Sequence, residues 1–518
     1  MAGRPRLVRG VLGGLAGVLA AAAALGAAEL VAGLVGPRSS PVVAVGAIAI
    51  TLTPEPVKEF AIRQFGSQDK VALVTGTLVV VAGCAVLVGL LALRRRVLGA
   101  AVVALVGLLG AAAALTGPAG RPVDAVPSVV GAVAGVVTLL ALTDRLGTSP
   151  AAGPAAGDGA GVDRRAFLVA AAVALGAAAV AGGGGRLLQR RFDVAAERAR
   201  LILPRPASPA PVLPLGADLS RQVPGLTPLF TGNAGFYRVD TALTVPQLRP
   251  SAYRLTLSGL VDRPRSWSLD DLLGRPDVIE RDVTLTCVSN EVGGTLTGTA
   301  RWLGVPLGAL LREAGVHPAS TQLVCRSSDG MTIGTPTRAA LDTAGAMLAF
   351  GMNGEPLPVE HGFPVRMVVP GLYGYVSACK WLTSIEATTY EAYDAYWVPR
   401  GYAARAPVKV GSRIDTPAGS GTVPAGRRPV AGVAWAQGRG IGRVELKVDD
   451  ADWAAARLSP ADEVDIWRQW VLPVELAPGA HQLTVRATTA DGELQTDRRT
   501  GVVPDGATGR HSVRVVAA

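Results

Sequence analysis

The chain has 518 residues, of which 17% are charged and 49% hydrophobic, and a formal net charge of +10. That length allows roughly three domains of about 150 residues, but the shortage of charge, against roughly a quarter in soluble domains, excludes one large soluble core. The arginines are scattered or flank apolar runs, with no basic stripe along one face, so nucleic acid is excluded as a partner.

The first 189 residues predict a transmembrane region in contact with lipid. Five runs have the roughly 20 apolar residues a bilayer core demands: Val11–Leu34, Val71–Leu93, Val97–Gly117, Ala125–Thr143 and Ala166–Gly185. Pro41–Leu52 is shorter and is expected as an interfacial or re-entrant piece. Arginines set the orientation. Arg4, Arg6 and Arg9, then Arg94, Arg95 and Arg96, then Arg164 and Arg165 fall on one side if the spans alternate. That side is read as cytoplasmic. With five spans, everything after about residue 186 is expected outside. The sequence Asp163-Arg164-Arg165-Ala166-Phe167-Leu168 is similar to a twin-arginine export signal, and equally fits two positive-inside arginines before an ordinary helix. All four histidines, His317, His361, His481 and His511, lie in the second half, so a bis-histidine haem in the membrane is excluded. Glu29 is the notable charge within a span, and the reading is an anchor, not a transporter.

Residues 190–225 hold Pro204, Pro206, Pro209, Pro211 and Pro214 and predict a stiff linker standing the next domain off the membrane. Residues 226–405 mix short strands and helices in an α+β pattern. Strands are expected at Tyr253–Leu260, Val283–Thr286, Val365–Val369 and Trp381–Ala387, and a helix at Leu307–Ala314. Residues 406–518 turn all-β. Val444–Val448, His481–Ala487 and His511–Val516 alternate apolar and polar residues, which suits a sandwich of about 100 residues.

The four cysteines are Cys84, Cys287, Cys325 and Cys379, with no CxxC and no zinc spacing. Cys84 lies in an apolar run and reads as a packing residue. Cys287 follows the run Val283–Thr286 and precedes a Gly-containing loop. Its position fits a buried structural thiol or a thiolate offered to a soft metal.

Several segments carry a resemblance. They are Cys287 with Asn290 and Ala300-Arg301-Trp302-Leu303-Gly304-Val305, Met352-Asn353-Gly354-Glu355-Pro356-Leu357, His361-Gly362-Phe363-Pro364-Val365-Arg366, Val369-Pro370-Gly371-Leu372-Tyr373-Gly374 and Lys380-Trp381-Leu382. In this order they resemble the sulfite oxidase family of molybdopterin oxidoreductases over about residues 225–518. The resemblance implies a Mo-molybdopterin cofactor and a C-terminal immunoglobulin-like domain through which a homodimer forms. It implies Cys287 as the molybdenum ligand. It places Asn233, Tyr237, Arg238, Ser327, His361, Arg366, Ser377, Cys379 and Lys380 around the pterin. One of Tyr390, Tyr393 and Tyr396 is expected to reach the active site, Tyr396 being the first choice, with packing between domains as the alternative. The implied chemistry is oxygen-atom transfer on a small-molecule substrate, with electrons exchanged with an external carrier, a cytochrome or a quinone-linked protein.

The chain departs from that family at two places. Gly232-Asn233-Ala234 stands where sulfite oxidases have Arg-Asn-His, and Glu291 follows Asn290 where they have Arg. A carboxylate there repels an anion. Three readings therefore stand: a molybdenum enzyme with another substrate, sulfite oxidation using arginines such as Arg301 or Arg366, and a cofactor-free binding module on an anchor.

Overall fold

A computed structural model describes residues 4–53, 57, 69–117, 120–146, 164–419, 421–461 and 463–518. The chain forms two compact units. The first holds residues up to Asp193 with Thr241–Val245; the second holds Val194–Asp240 and Pro246–Ala518.

The first unit is helical: α1 (Arg4–Val35), α2 (Pro41–Leu52), α3 (Asp69–Ala92), α4 (Arg96–Thr116), α5 (Val126–Asp144) and α6 (Arg164–Gln189). Among the described residues, five helices are long and apolar enough to cross a membrane, and α2 is a short helix of 12 residues. The loop before Arg164, with most of the proposed export signal's leading side, lies outside the described residues. Helix α1 packs against α3, α5 and α6. Small residues allow this approach in the absence of a hydrophobic drive between apolar helices. A Cβ on Gly17 would lie 1.9 Å from the Ala85 carbonyl oxygen, and one on Gly89 2.1 Å from that of Gly13. Glu29 is satisfied locally, accepting hydrogen bonds from Ser40 Oγ and from Gln189 Nε2 at 2.9 Å.

The second unit begins with the proline-rich segment. It is largely irregular, as its prolines dictate, but it is not a free spacer. Ala207 N–H donates to Val278 O, Arg198 Nε to Leu357 O, and Leu219, Val223 and Leu226 bury against Ala431 and Val471. The expected stand-off linker is thus laid down on the domain it leads into, because its leucines and valines find apolar partners there.

Two sheets follow. One has the order β2 (Arg265–Ser268), β1 (Arg254–Gly259), β10 (Leu382–Thr388), β5 (Gln322–Ser327), β6 (Thr332–Pro336). The other runs β3 (Ile279–Thr286), β4 (Thr297–Pro306), β7 (Met347–Met352), β8 (Glu355–Pro356), with β9 (Arg366–Val368) also paired to β7. The helix Leu307–Ala314 ends at Gly315, whose φ of 66° closes it in the left-handed region. Its buried face, with Leu307, Leu310 and Leu311, joins the main core beside Leu255, Leu323, Phe350 and Ile385.

Residues 411–517 form two further sheets. They are β11 (Gly411–Thr416), β13 (Gly426–Trp435), β17 (Arg468–Leu476), β16 (Arg457–Leu458), and β12 (Thr422–Val423), β19 (His511–Ala517), β18 (Gly479–Thr489), β14 (Ile441–Val448), β15 (Ala454–Ala455). Alternate residues of both, among them Val430, Trp470, Leu446 and Val485, share one core. This is face-to-face sheet packing. These sheets also grip β3: Trp467 N–H and Gln437 Nε2 bond the Thr284 hydroxyl and carbonyl at 2.7 and 3.0 Å. The cysteine strand is therefore held from the C-terminal domain as well as from its own sheet.

Candidate cofactor and active site

Strand β3 ends at Thr286 and delivers Cys287 into a tight return loop. Cys287 N–H donates to Leu296 O at 2.9 Å, and Leu296 N–H donates to Asn290 Oδ1 at 2.8 Å. Asn290 thus staples the loop rather than reaching outward. Cys287 is buried, and burial pushes its thiol pKa above the ordinary value. A neutral thiol is the stable form without a cation; a coordinated metal would remove the proton outright.

Tyr237 links the cysteine to a second group of residues. Its buried hydroxyl has a raised pKa, first from burial, then from Cys287, with Arg366 opposing. Tyr373 also feels Cys287; burial is the main cause that pushes it up to about 12. Both tyrosines are electrostatically coupled to the thiol. Tyr396 N–H donates to Thr332 Oγ1, and its ring contacts Trp397 and the Arg400 guanidinium, 3.6 Å from the ring centroid.

Arg366 is the unusual residue. It is 5% exposed, and among the described residues no carboxylate pairs with it. Nη1 donates to His361 O at 3.0 Å, Nη2 to Ala378 O at 3.4 Å, and Nε is buried with no partner. Its guanidinium lies 5.0 Å from the Trp302 ring centroid, a favourable cation–π setting. Desolvation lowers its pKa to about 10. His361 is buried beside it; Nε2 donates to Asn233 O at 3.0 Å, and desolvation, reinforced by Arg366 and Lys380, lowers its pKa to about 4. Lys380 donates to Asp240 Oδ2 at 2.7 Å and Glu360 O at 3.2 Å, and burial lowers its pKa to about 8. Arg238 shares that same Asp240. One carboxylate thus faces two cations, while Arg366 has none.

An orphaned guanidinium nitrogen amid desolvated cations fits an anionic cofactor, and a strand-end thiol fits a soft metal. The residues present suit a phosphate-bearing molybdenum cofactor.

The other expected residues divide. Asn233 is present through its amide, which donates to Glu355 Oε1 at 2.6 Å and accepts from Asn353 Nδ2. Ser327 is buried in the turn before Gly330, its hydroxyl accepting from Asp329 N–H. Ser377 spends its hydroxyl on Leu372 O and Tyr373 O. The Cys379 side chain belongs to the apolar core beside Cys325 and Leu382, with its thiol pKa pushed well up by burial, and its carbonyl accepts from Met367 N–H. Its neighbour Lys380 alone turns to the site. Arg301 is also removed from the anion-binding set, being locked bidentately on Asp282 at 2.8 Å twice. Sequence reading missed Asp240, Tyr373 and the Asn353 hub. The Asn353-Gly354 pair, with φ of 52° and 83°, carries the turn signal that could have flagged the hub.

Beside the loop that follows Cys287 lies a small cleft of about 20 Å³, lined by Thr286, Asn290, Glu291, Tyr373, Lys409 and Gln495 among others. Lys409 is already paired with Asp505 at 2.6 Å, and Glu291 is exposed.

Residues 242–397 match the family described as oxidoreductase molybdopterin binding domain. The chain is similar to mitochondrial sulfite oxidase of Macaca fascicularis, 34% identical over 296 residues, 48% of this chain and 54% of that protein. It is also similar to the NADH nitrate reductase of Solanum lycopersicum, 28% identical over 318 residues, 49% of this chain and 35% of that one. The chain spans about half the length of the sulfite oxidase it matches. The sulfane dehydrogenase SoxCD of Paracoccus pantotrophus is similar at 24% identity with a TM-score of 0.48, covering 55% of this chain and 80% of that chain.

Two outcomes follow from the charges. Arg366→Met replaces an unpaired buried cation with an apolar chain of similar length. The cofactor-free protein is expected to unfold at the same or a higher temperature, gaining up to about 1–2 kcal/mol, while cofactor retention falls; a clear loss of thermal stability would contradict the absence of an anionic partner. For His361, the unfolded ring titrates near 6.5 and the folded one near 4. Between these values the unfolded chain binds more protons, so stability is present above pH 6.5 and falls as the pH drops toward 4, by on the order of 3 kcal/mol. Denaturation of the cofactor-free chain across that window should show this slope, and His361→Gln should flatten it.

Proposed function

Because residues 242–397 form a molybdopterin-binding oxidoreductase domain of the sulfite oxidase family, we propose that the chain is a membrane-anchored enzyme of oxygen-atom transfer on a small substrate outside the cytoplasm. The observation that carries the reading is a buried strand-end thiol, Cys287, together with a buried guanidinium, Arg366, that has an unpartnered nitrogen, both acting electrostatically on Tyr237. When bound, the cofactor supplies a molybdenum centre that exchanges an oxygen atom with substrate and cycles by two electrons. Cys287 holds the metal; Arg366, His361 and Lys380, with Tyr237, Asn233 and Ser327 beside them, hold the anionic pterin. Arg238 contributes through Asp240. Ser377 shapes the short helix Gly374–Ser377 next to the site.

The small cleft beside the loop that follows Cys287 argues about substrate. Glu291 adds a negative charge at its wall and Lys409 is spent on Asp505. A neutral oxygen donor or acceptor suits such a wall better than a doubly charged anion. Sulfite is the second reading, favoured by the sequence similarity to sulfite oxidases. Electrons pass to or from an external carrier. We read residues 406–518 as the immunoglobulin-like dimerisation domain, and helices α1 and α3–α6 as the spans of an anchor with its N-terminus cytoplasmic.

The test is metal and pterin content of the full chain made in a cofactor-competent host, with turnover followed on sulfite plus ferricyanide and on dimethyl sulfoxide plus reduced viologen. Wild type should contain molybdenum and prefer the neutral compound. Cys287→Ser should keep the pterin and lose turnover to background. A molybdenum-free wild type, or an active serine variant, sinks the reading. Separately, alkaline phosphatase fused after Ala518 should be active outside the cytoplasm; activity confined to a fusion on the opposite side would reverse the topology.

A further inference from the structure

The loop that follows Cys287 is fastened at two levels. Its base is closed by its own hydrogen bonds: Asn290 N–H to Cys287 O at 3.1 Å, Leu296 N–H to Asn290 Oδ1 and Gly294 N–H to Glu291 O, both at 2.8 Å. Its tip, Gly293-Gly294, is fastened by the C-terminal domain. Arg413 on β11 donates through Nη1 to Gly294 O at 2.8 Å, through Nη2 to Thr227 Oγ1 at 3.0 Å, and through Nε to Asp415 Oδ1 at 2.6 Å. Asp415 in turn accepts from Thr227 N–H at 3.1 Å. Both side chains of this ion pair are about 6–7% exposed.

His511 on β19 completes the grip. Its Nδ1 accepts from Ile414 N–H at 3.0 Å, which leaves the neutral ring's proton on Nε2. The ring edge lies against Gly293, where a Cβ would fall 2.4 Å from Nε2. Gly293 also has a φ of 84°. Position 293 therefore excludes a side chain twice over, by backbone conformation and by the imidazole.

A buried ion pair is weak ground for stability, since desolvation offsets most of its attraction. This pair spends one remaining donor on the backbone of a loop that begins at the proposed metal ligand and another on the Thr227 hydroxyl. We propose that Arg413 is a positioning residue: held by Asp415 and backed by His511, it fixes the tip of the Cys287 loop from the C-terminal domain. The consequence is that Asn290 and Glu291, at the wall of the cleft, keep a constant height relative to Cys287. The role at the metal rests on the assignment of Cys287 as ligand; the grip on the loop does not.

Arg413→Ala alone would strand Asp415, so the deciding variant is Arg413→Met with Asp415→Asn, which leaves no unpaired charge and keeps an acceptor for Thr227 N–H. In the full chain, amide hydrogen exchange over residues 288–296 should speed up roughly tenfold or more, the effect of losing a charge-assisted bond, while exchange in the strand β7 stays as in wild type. Arg413→Lys, which keeps one donor near Gly294 O, should recover part of the protection. In molybdenum-loaded samples of equal metal content, the Mo(V) electron paramagnetic resonance spectrum should change in the double variant and return toward wild type in the lysine variant. Unchanged exchange in the loop overturns the grip. Altered exchange with an unchanged spectrum overturns its reach to the metal. Wild type without molybdenum would instead refute the cofactor assignment, with exchange still deciding the grip.

Discussion

A guanidinium buried without a carboxylate is hard to keep in a protein, and the catalytic domain is arranged around one. Arg366 sits on the short strand β9, with Trp302 from β4 beneath its plane and the carbonyls of His361 and Ala378 taking two of its nitrogens. Each of those contacts fixes a different part of the site. Trp302 is itself anchored through Nε1 to Val283 O on the cysteine strand. Phe236 packs edge-on against both Trp302 and His361 and stacks on Tyr237. One cation therefore ties β3, β4, β9 and the loop 231–240 into a single aromatic and polar layer. Its remaining unpaired nitrogen gives the layer an electrostatic preference for an anion.

Around this cation the neighbouring titratable groups are pushed toward their neutral forms or paired. His361 stays neutral at ordinary pH, and Lys380 is balanced by Asp240. Positive charge is thereby concentrated where no protein anion answers it. The thiol of Cys287 is in the same state of incompleteness, being neutral because burial disfavours its anion. Under the proposed reading, a ligand with an anionic end and a metal would answer both features, with its binding coupled to the loss of the thiol proton and to folding stability.

The helical unit obeys different physics. Its contacts are made by Gly and Ala at close approach, and its single described acid within α1, Glu29, is answered by Ser40 and Gln189. The chemistry gathers in the second unit.

Composition and periodicity were enough for the helices. Runs such as Val97–Gly117 and the observed Arg96–Thr116 agree to within a residue because hydrophobic length is a property of the chain alone. The same holds for Leu307–Ala314 and for the alternating strands, where side-chain period 2 marks the buried face. The motif order also brought Cys287, His361, Arg366 and Lys380 into view together. What the sequence could not determine is where each side chain spends its hydrogen bonds. Cys379 and Lys380 are adjacent in the irregular segment before β10, yet one side chain packs into the core and the other reaches Asp240. Arg301 and Arg366 look alike as letters, but Asp282 lies within 2.8 Å of one and no carboxylate answers the other. The proline-rich segment reads as a spacer until Val471 and Ala431 are seen to cover its apolar residues. In each case the deciding partner lies far along the chain, and a charge becomes functional or structural according to whether that partner is there.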